Sequence, residues 1–165
     1  MTSDTFSSKN LGSVYAGLGE PKGKTRPKLV YDSSTYPGYV VRTDSSDRWN
    51  LAKNSDKSQD AVIDTCRDHG LDTAFTIYSG TVPDVVEGYR IGGGDVVWTY
   101  YVAVSPAVNL LPGDILVTSA TDGMTMKFSY TDGTDITDAP LNIVGRCVDI
   151  VTGSTSDNKL VKVQL

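Results

Sequence analysis

Tyr36-Pro37-Gly38-Tyr39-Val40-Val41-Arg42-Thr43 and Leu111-Pro112-Gly113-Asp114-Ile115-Leu116-Val117-Thr118 share one layout at a constant offset of 75 residues. In each copy proline in the second position and glycine in the third predict a type II turn that launches a strand. The echo continues. Asp47, Trp49 and Leu51 match Asp122, Met124 and Met126 at the same offset of 75, so each strand is expected to hairpin back through an Asp-containing turn. Two equivalent hairpins predict a barrel or sandwich with pseudo-symmetric halves.

Outward from these copies, short apolar runs recur between Gly, Pro, Asp and Ser clusters. Val30, Trp49 to Ala52, Ala74 to Tyr78, Val85 to Tyr89, Val96 to Val104, Asn142 to Val151 and Leu160 to Leu165 read as strands. Met124, Met126, Phe128 and Tyr130 alternate with Thr125, Lys127 and Ser129, the period of a half-buried strand. The composition agrees: Val, Ile and Thr number 44, against 24 for Leu, Ala, Glu and Met, which disfavours a helical bundle. The one helical candidate is Ser58 to His69, with Gly70 as a stop. The expected fold is all-β, a small β-barrel or sandwich with an extended N-terminal arm and at most one short helix. The predicted core is Val41, Trp49, Leu51, Ile77, Val86, Val97, Val117, Met126, Phe128, Ile143, Val148, Val161 and Val163.

The 165 residues suit one domain with a substantial core. Residues 1–27 are rich in Ser, Thr, Gly, Lys and Pro and follow neither the helical nor the strand period, so we read them as an arm before a barrel domain over 28–165. The net charge is −5, distributed unevenly: residues 1–28 carry +3 and the remainder −8. Five dispersed cations give little of the dense patch that nucleic acid requires, so nucleic acid is not expected as a partner. Residues 1–10 lack the apolar core of a secretion signal, and the uncharged run Val96 to Gly113 is broken by Pro106 and Pro112, so no membrane partner is expected. Cys66 and Cys147 are too few for a disulfide framework and read as free thiols.

No stretch carries a recognisable catalytic or cofactor motif. His69 lies three residues after Cys66, but a helix-end histidine explains the pair as well as a nucleophile and base would. Asp132-Gly133-Thr134-Asp135 with Asp138 lacks EF-hand spacing and reads as a hairpin tip. Gly92-Gly93-Gly94-Asp95 lacks the Lys-Ser/Thr of a phosphate loop and reads as a turn. Catalytic, metal and cofactor residues are therefore expected to be none. A carboxylate pair drawn from the 18 Asp remains open, since such pairs are assembled by the fold.

The arm, the Tyr36 to Val41 start with Trp49-Asn50-Leu51-Ala52, the Leu111 to Ile115 strand, and the ending Ile143-Val144-Gly145-Arg146-Cys147-Val148-Asp149 with Leu160 to Leu165 together resemble the head decoration, or cement, proteins of tailed viruses. The likeness spans Tyr36 to Leu165 and is one of layout and turns; the long arm and the Ser58 to Leu71 insertion depart from it. It implies a small β-barrel on the outer surface of an icosahedral capsid, made in the host cytoplasm during assembly. It further implies the major capsid protein as partner, with a homotrimer at local three-fold positions. In that setting Phe6, Leu11, Val14, Tyr15 and Leu18 are expected to anchor the arm, while Lys22, Lys24, Arg26 and Lys28 meet acidic shell surface. The rival is a carbohydrate- or receptor-binding β-module of a viral tail or fibre, using Tyr36, Tyr39, Tyr89, Tyr100 or Tyr101.

Overall fold

A computed structural model describes residues 13–32, 35–53, 56, 58–64, 85–102, 109–128, 142–149 and 159–165. Eleven strands cover them: β1 (Lys28–Leu29), β2 (Val40–Thr43), β3 (Trp49–Leu51), β4 (Ala61–Ile63), β5 (Val85–Val86), β6 (Gly88–Arg90), β7 (Val96–Tyr101), β8 (Ile115–Thr118), β9 (Thr125–Lys127), β10 (Ile143–Cys147) and β11 (Lys159–Gln164). The protein is all-β. No helix occurs among the described residues, and the helix expected from Ser58 is replaced at Ala61 to Ile63 by β4. The periodicity misled because Ala61, Val62 and Ile63 are all fully buried: the sheet is covered on both faces, so the strand shows no alternation. The segment Ala74 to Tyr78, with Ile77, lies outside the described residues.

β10, β11, β7, β9 and β8 form a closed barrel, and β3, β2, β4 and β6 a four-stranded sheet. Both launching turns are as the sequence predicts. Tyr39 N–H donates to Tyr36 O at 3.1 Å and Asp114 N–H to Leu111 O at 3.0 Å, closing the two Pro-Gly turns. Gly38 and Gly113 sit at φ +90 and +93, the left-handed region that the third position of this turn requires. β2 then pairs with β3, and β8 with β9, both antiparallel.

The equivalence extends beyond the hairpins. The N-terminal segment Gly23–Tyr31 lies along β6, with Lys24 opposite Tyr89 antiparallel, and along β3, with Val30 opposite Trp49 parallel. It thereby joins the two edges of the four-stranded sheet into a ring: β4, β6, the segment, β3, β2 and back to β4. The barrel runs β10, β11, β7, β9, β8 in the same circular order, with β7 antiparallel to β11 and parallel to β9. Each strand of the first ring therefore has a counterpart of the same polarity in the second.

Two cores follow. Val30, Val41, Trp49, Ala61, Ile63 and Val86 fill the first ring, where Trp49 Nε1–H donates to Val86 O at 3.0 Å. The second cluster joins barrel residues such as Val97, Tyr101, Leu116, Val144 and Val163 to Val40, Val62 and Tyr89 from the outer side of the first ring. The rings are packed together through this shared apolar layer.

Several predicted core positions differ. Ile143 and Val148 are each 38% exposed. A bulge between Ile143 and Gly145 shifts the phase of β10, so that Val144 turns inward instead. Leu51, Met126 and Phe128 are half-buried, while Thr125, expected on the outer face, is fully buried and donates from Oγ1 to Tyr100 O at 2.9 Å.

Gly145 fixes how closely β10 approaches β11. A Cβ placed there collides with the carbonyl of Gln164 and comes within 2.6 Å of Val163 Cγ1. Gly145→Ala should lower the unfolding free energy by ~1–3 kcal/mol or more, read by chemical denaturation, because one obstacle is backbone and cannot rotate away.

Candidate functional site

The chain from Ser13 to Lys28 holds most of the residues expected to make external contacts, and the structure places it against the body. Tyr15 bridges to Val97 of β7, with Ala16 N–H donating to Val96 O and Trp98 N–H to Val14 O, both at 2.8 Å. Val14 is fully buried in the layer between the rings, and Tyr15 stacks on Tyr89 with centroids 5.7 Å apart. Of the extended N-terminal arm expected over 1–27, the described part from Ser13 onward lies along the folded body. Val14 is enclosed within this molecule, while Tyr15 is half-buried against Tyr89.

Two buried carboxylates tie this segment down. Asp64 accepts from Val14 N–H at 3.0 Å, from Ser13 Oγ at 3.0 Å and from Tyr89 Oη at 2.7 Å, with the Lys24 ammonium 3.8 Å away. Asp95 accepts from Lys22 N–H at 2.8 Å and Gly23 N–H at 2.7 Å. Buried carboxylates persist only with such partners, and the charge strengthens each bond. Burial, with Asp64 beside it, pushes the Tyr89 hydroxyl well above the usual phenol range, so it remains a proton donor to Asp64.

Between these anchors the loop from Gly17 to Pro21 projects from the surface. Leu18 at its tip is 101% exposed, and Tyr15 Oη reaches back to Leu18 O at 3.5 Å. The expected cations divide. Lys24 pairs with Glu87 at 2.8 Å, Arg26 with Asp47 at 2.6 Å, and Lys28 with Asp47 at 3.0 Å while lying 4.5 Å from the centroid of Trp49. Those three are neutralised within the molecule. Lys22 is exposed and has no ion pair among the described residues. Phe6 and Leu11 lie outside the described residues.

Asp47 belongs to the β2–β3 turn, whose geometry is held by Asp44. Asp44 accepts from Ser46 N–H at 2.8 Å, Arg48 N–H at 2.9 Å and Arg48 Nε at 2.8 Å. Desolvation pushes this carboxyl up, but the hydrogen bonds from Arg48 and Ser46 outweigh it and bring it down to about 2. Asp47 is lowered too, chiefly by Lys28.

The tyrosines of the rival reading separate into two sets. Tyr89 and Tyr101 are each 1% exposed and are core residues. Tyr36, Tyr39 and Tyr100 are half-buried and cluster together, with Tyr39 tilted against Tyr36 at 5.5 Å and edge to face with Tyr100 at 5.1 Å. Burial, with Tyr100 and Tyr36 alongside, pushes the Tyr39 hydroxyl up to about 12. Cys147 is a free, buried thiol whose Sγ donates to Asp149 O at 3.0 Å, and burial raises it above the usual thiol range. Cys66, His69 and the Asp132 to Asp138 loop lie outside the described residues. Among the described residues no group of three His, Cys, Asp or Glu side chains converges as a metal site would need. No known protein-family model matches the chain, and no curated protein matches its sequence.

Sequence reasoning missed Asp64 and Asp95 as anchors. No local signal marks them, because their donors lie 50 and 72 residues away.

Two outcomes are expected. Deleting residues 1–12 should leave a cooperative thermal unfolding transition, while deleting 1–27 should abolish it, because the longer cut strips Val14 and the donors of Asp64 and Asp95. Below about pH 4 the unfolded carboxylates take up protons that Asp44 and Asp47 resist in the folded state, so stability falls as pH drops towards about 2. Melting temperatures measured from pH 5 to pH 2 should drop less steeply in Asp44→Asn than in the wild type.

Proposed function

We propose that the chain is a structural virion protein that decorates the outer surface of an icosahedral capsid and stabilises contacts between capsomers, with the major capsid protein as partner. The observation that carries this reading is Leu18, a large apolar side chain held fully outward on a loop anchored at both ends. Anchoring matters because a pre-ordered loop loses little entropy on docking. Burying one leucine contributes about 1.5–3 kcal/mol, and a lattice repeats the contact at many sites. A ligand that binds only the assembled shell stabilises it by mass action, so modest affinity at each site suffices.

Lys22, next to this loop, is the cation left to meet acidic shell surface. The closed rings suit the role, since sheet edges covered by the chain's own segment do not pair with other copies indiscriminately.

The second reading, a carbohydrate- or receptor-binding module, is favoured by the half-buried cluster of Tyr36, Tyr39 and Tyr100. Its rings are packed on one another, tilted in one pair and edge to face in the other, which leaves less open aromatic surface for a sugar than isolated tyrosines would.

Cosedimentation with empty heads of the virus that encodes the chain separates the two readings. Head binding by the wild type, reduced about tenfold or more in Leu18→Asp at unchanged melting temperature, is the expected result. Binding to a glycan array with no binding to heads would overturn the capsid reading in favour of the rival.

A further inference from the structure

The two rings carry equivalent outer faces that differ in one respect. Val40 in β2 corresponds to Ile115 in β8, each being the second residue after the glycine of its launching turn. Pairing then sets Val62 of β4 against Arg146 of β10 and Tyr89 of β6 against Gln164 of β11 as counterparts. On the first ring this face is covered: Val40, Val62 and Tyr89 are at most 1% exposed, with Val14 buried among them and Tyr15 stacked on Tyr89. On the second ring it is open. Ile115, Arg146 and Gln164, together with Ile91, Ile143 and Leu165, line a groove of about 430 Å³.

The cover on the first ring is the second ring together with Ser13 to Ala16. On the second ring Ile91 and Gly92, from the short β6–β7 connection, adjoin this face and leave it open. One covering element on the first ring is thus an extended piece of chain bearing a buried apolar side chain, Val14. Twelve residues precede Ser13, with Met1, Phe6 and Leu11 as their large apolar side chains, Asp4 as their acid and Lys9 as their base. At Ser13 the described chain points away from the groove of its own molecule. Ser13 to Ala16 runs antiparallel to β7, with Ala16 at Val96 and earlier residues progressively nearer the Tyr101 end. Gln164, on the groove, pairs with Val96 at the opposite end. Extended, twelve residues span up to ~40 Å, enough to reach a neighbouring molecule.

We propose that the groove on the second ring is a docking site for residues 1–12 of a second copy of this chain, with Phe6 and Leu11 as apolar anchors and Asp4 facing Arg146. The contact is heterologous: each molecule donates one segment and receives another, so association builds rings or open strings of copies. This inference does not depend on capsid binding.

Sedimentation velocity of the full chain over a concentration series tests it, alongside Ile143→Glu and the double variant Phe6→Ser with Leu11→Ser. Melting temperatures of both variants are expected to match the wild type, Ile143 being 38% exposed. The wild type should self-associate, with the dissociation constant raised about tenfold or more in either variant. A mixture of the two variants should form a dimer and nothing larger, since only one donor and one intact groove remain. A wild type that stays monomeric up to millimolar concentration would overturn the proposal, as would self-association unchanged by both variants. So would hydrogen-exchange protection of residues 1–12 in a monomer that is lost in Ile143→Glu, because the segment would then occupy its own groove.

Discussion

The pairing of one N-terminal stretch with two separate sheet edges is the constraint on which the first half of the molecule depends. Without Gly23 to Tyr31 the sheet β3-β2-β4-β6 would expose the backbone groups of both outer strands. With it, Thr25 N–H donates to Gly88 O on one side and Tyr31 N–H to Trp49 O on the other, each at 2.8 Å. A ring has no edge, so this closure removes the usual route to uncontrolled strand pairing. It also sets Val30 over Trp49 and Val86, which completes the first core.

Closure of that kind needs the incoming chain to be held in place, and local backbone pairing is too short to do it alone. Asp64 and Asp95 supply the hold from inside the body, each gathering at least two donors from the segment. The cost of desolvating each carboxylate is offset only when these donors are present, which couples the segment's position to the folding of the strands around it. The result is a molecule in which a low-complexity stretch is structural, and in which the outward features are confined to defined places: the Leu18 tip, the tyrosine surface and the groove of the second ring.

The duplicated circuit gives these features an internal standard of comparison. Equivalent strands occupy equivalent positions, yet Val62 is buried where Arg146 is exposed, and Tyr89 is buried where Gln164 is exposed. The side chains have changed in the sense that solvent exposure demands, apolar where the face is covered and polar where it is open. Ile115 and Ile143 keep apolar surface on the open side. Covered and open faces of one architecture thus separate what stability requires from what is left for contact.

The residues alone determined the two Pro-Gly turns, the hairpins they launch, the all-β class and most strands, because turn geometry and strand period are local properties written within a few positions. Val41, Trp49, Val86, Val97, Val117, Val161 and Val163 were legible as core for the same reason. The tertiary structure alone decided that Ala61 to Ile63 is a strand covered on both faces, that a bulge turns Ile143 outward, and that the stretch after Ser13 belongs to the body. Of the residues expected to make external contacts, it left Leu18 and Lys22 outward and enclosed Val14 within the fold. Those outcomes rest on partners well beyond the local sequence, sheet neighbours such as Val40 for Val62 and Val117 for Ile143, and carboxylates 50 and 72 positions away, and no local pattern encodes which distant carboxylate or sheet edge a polar segment will meet.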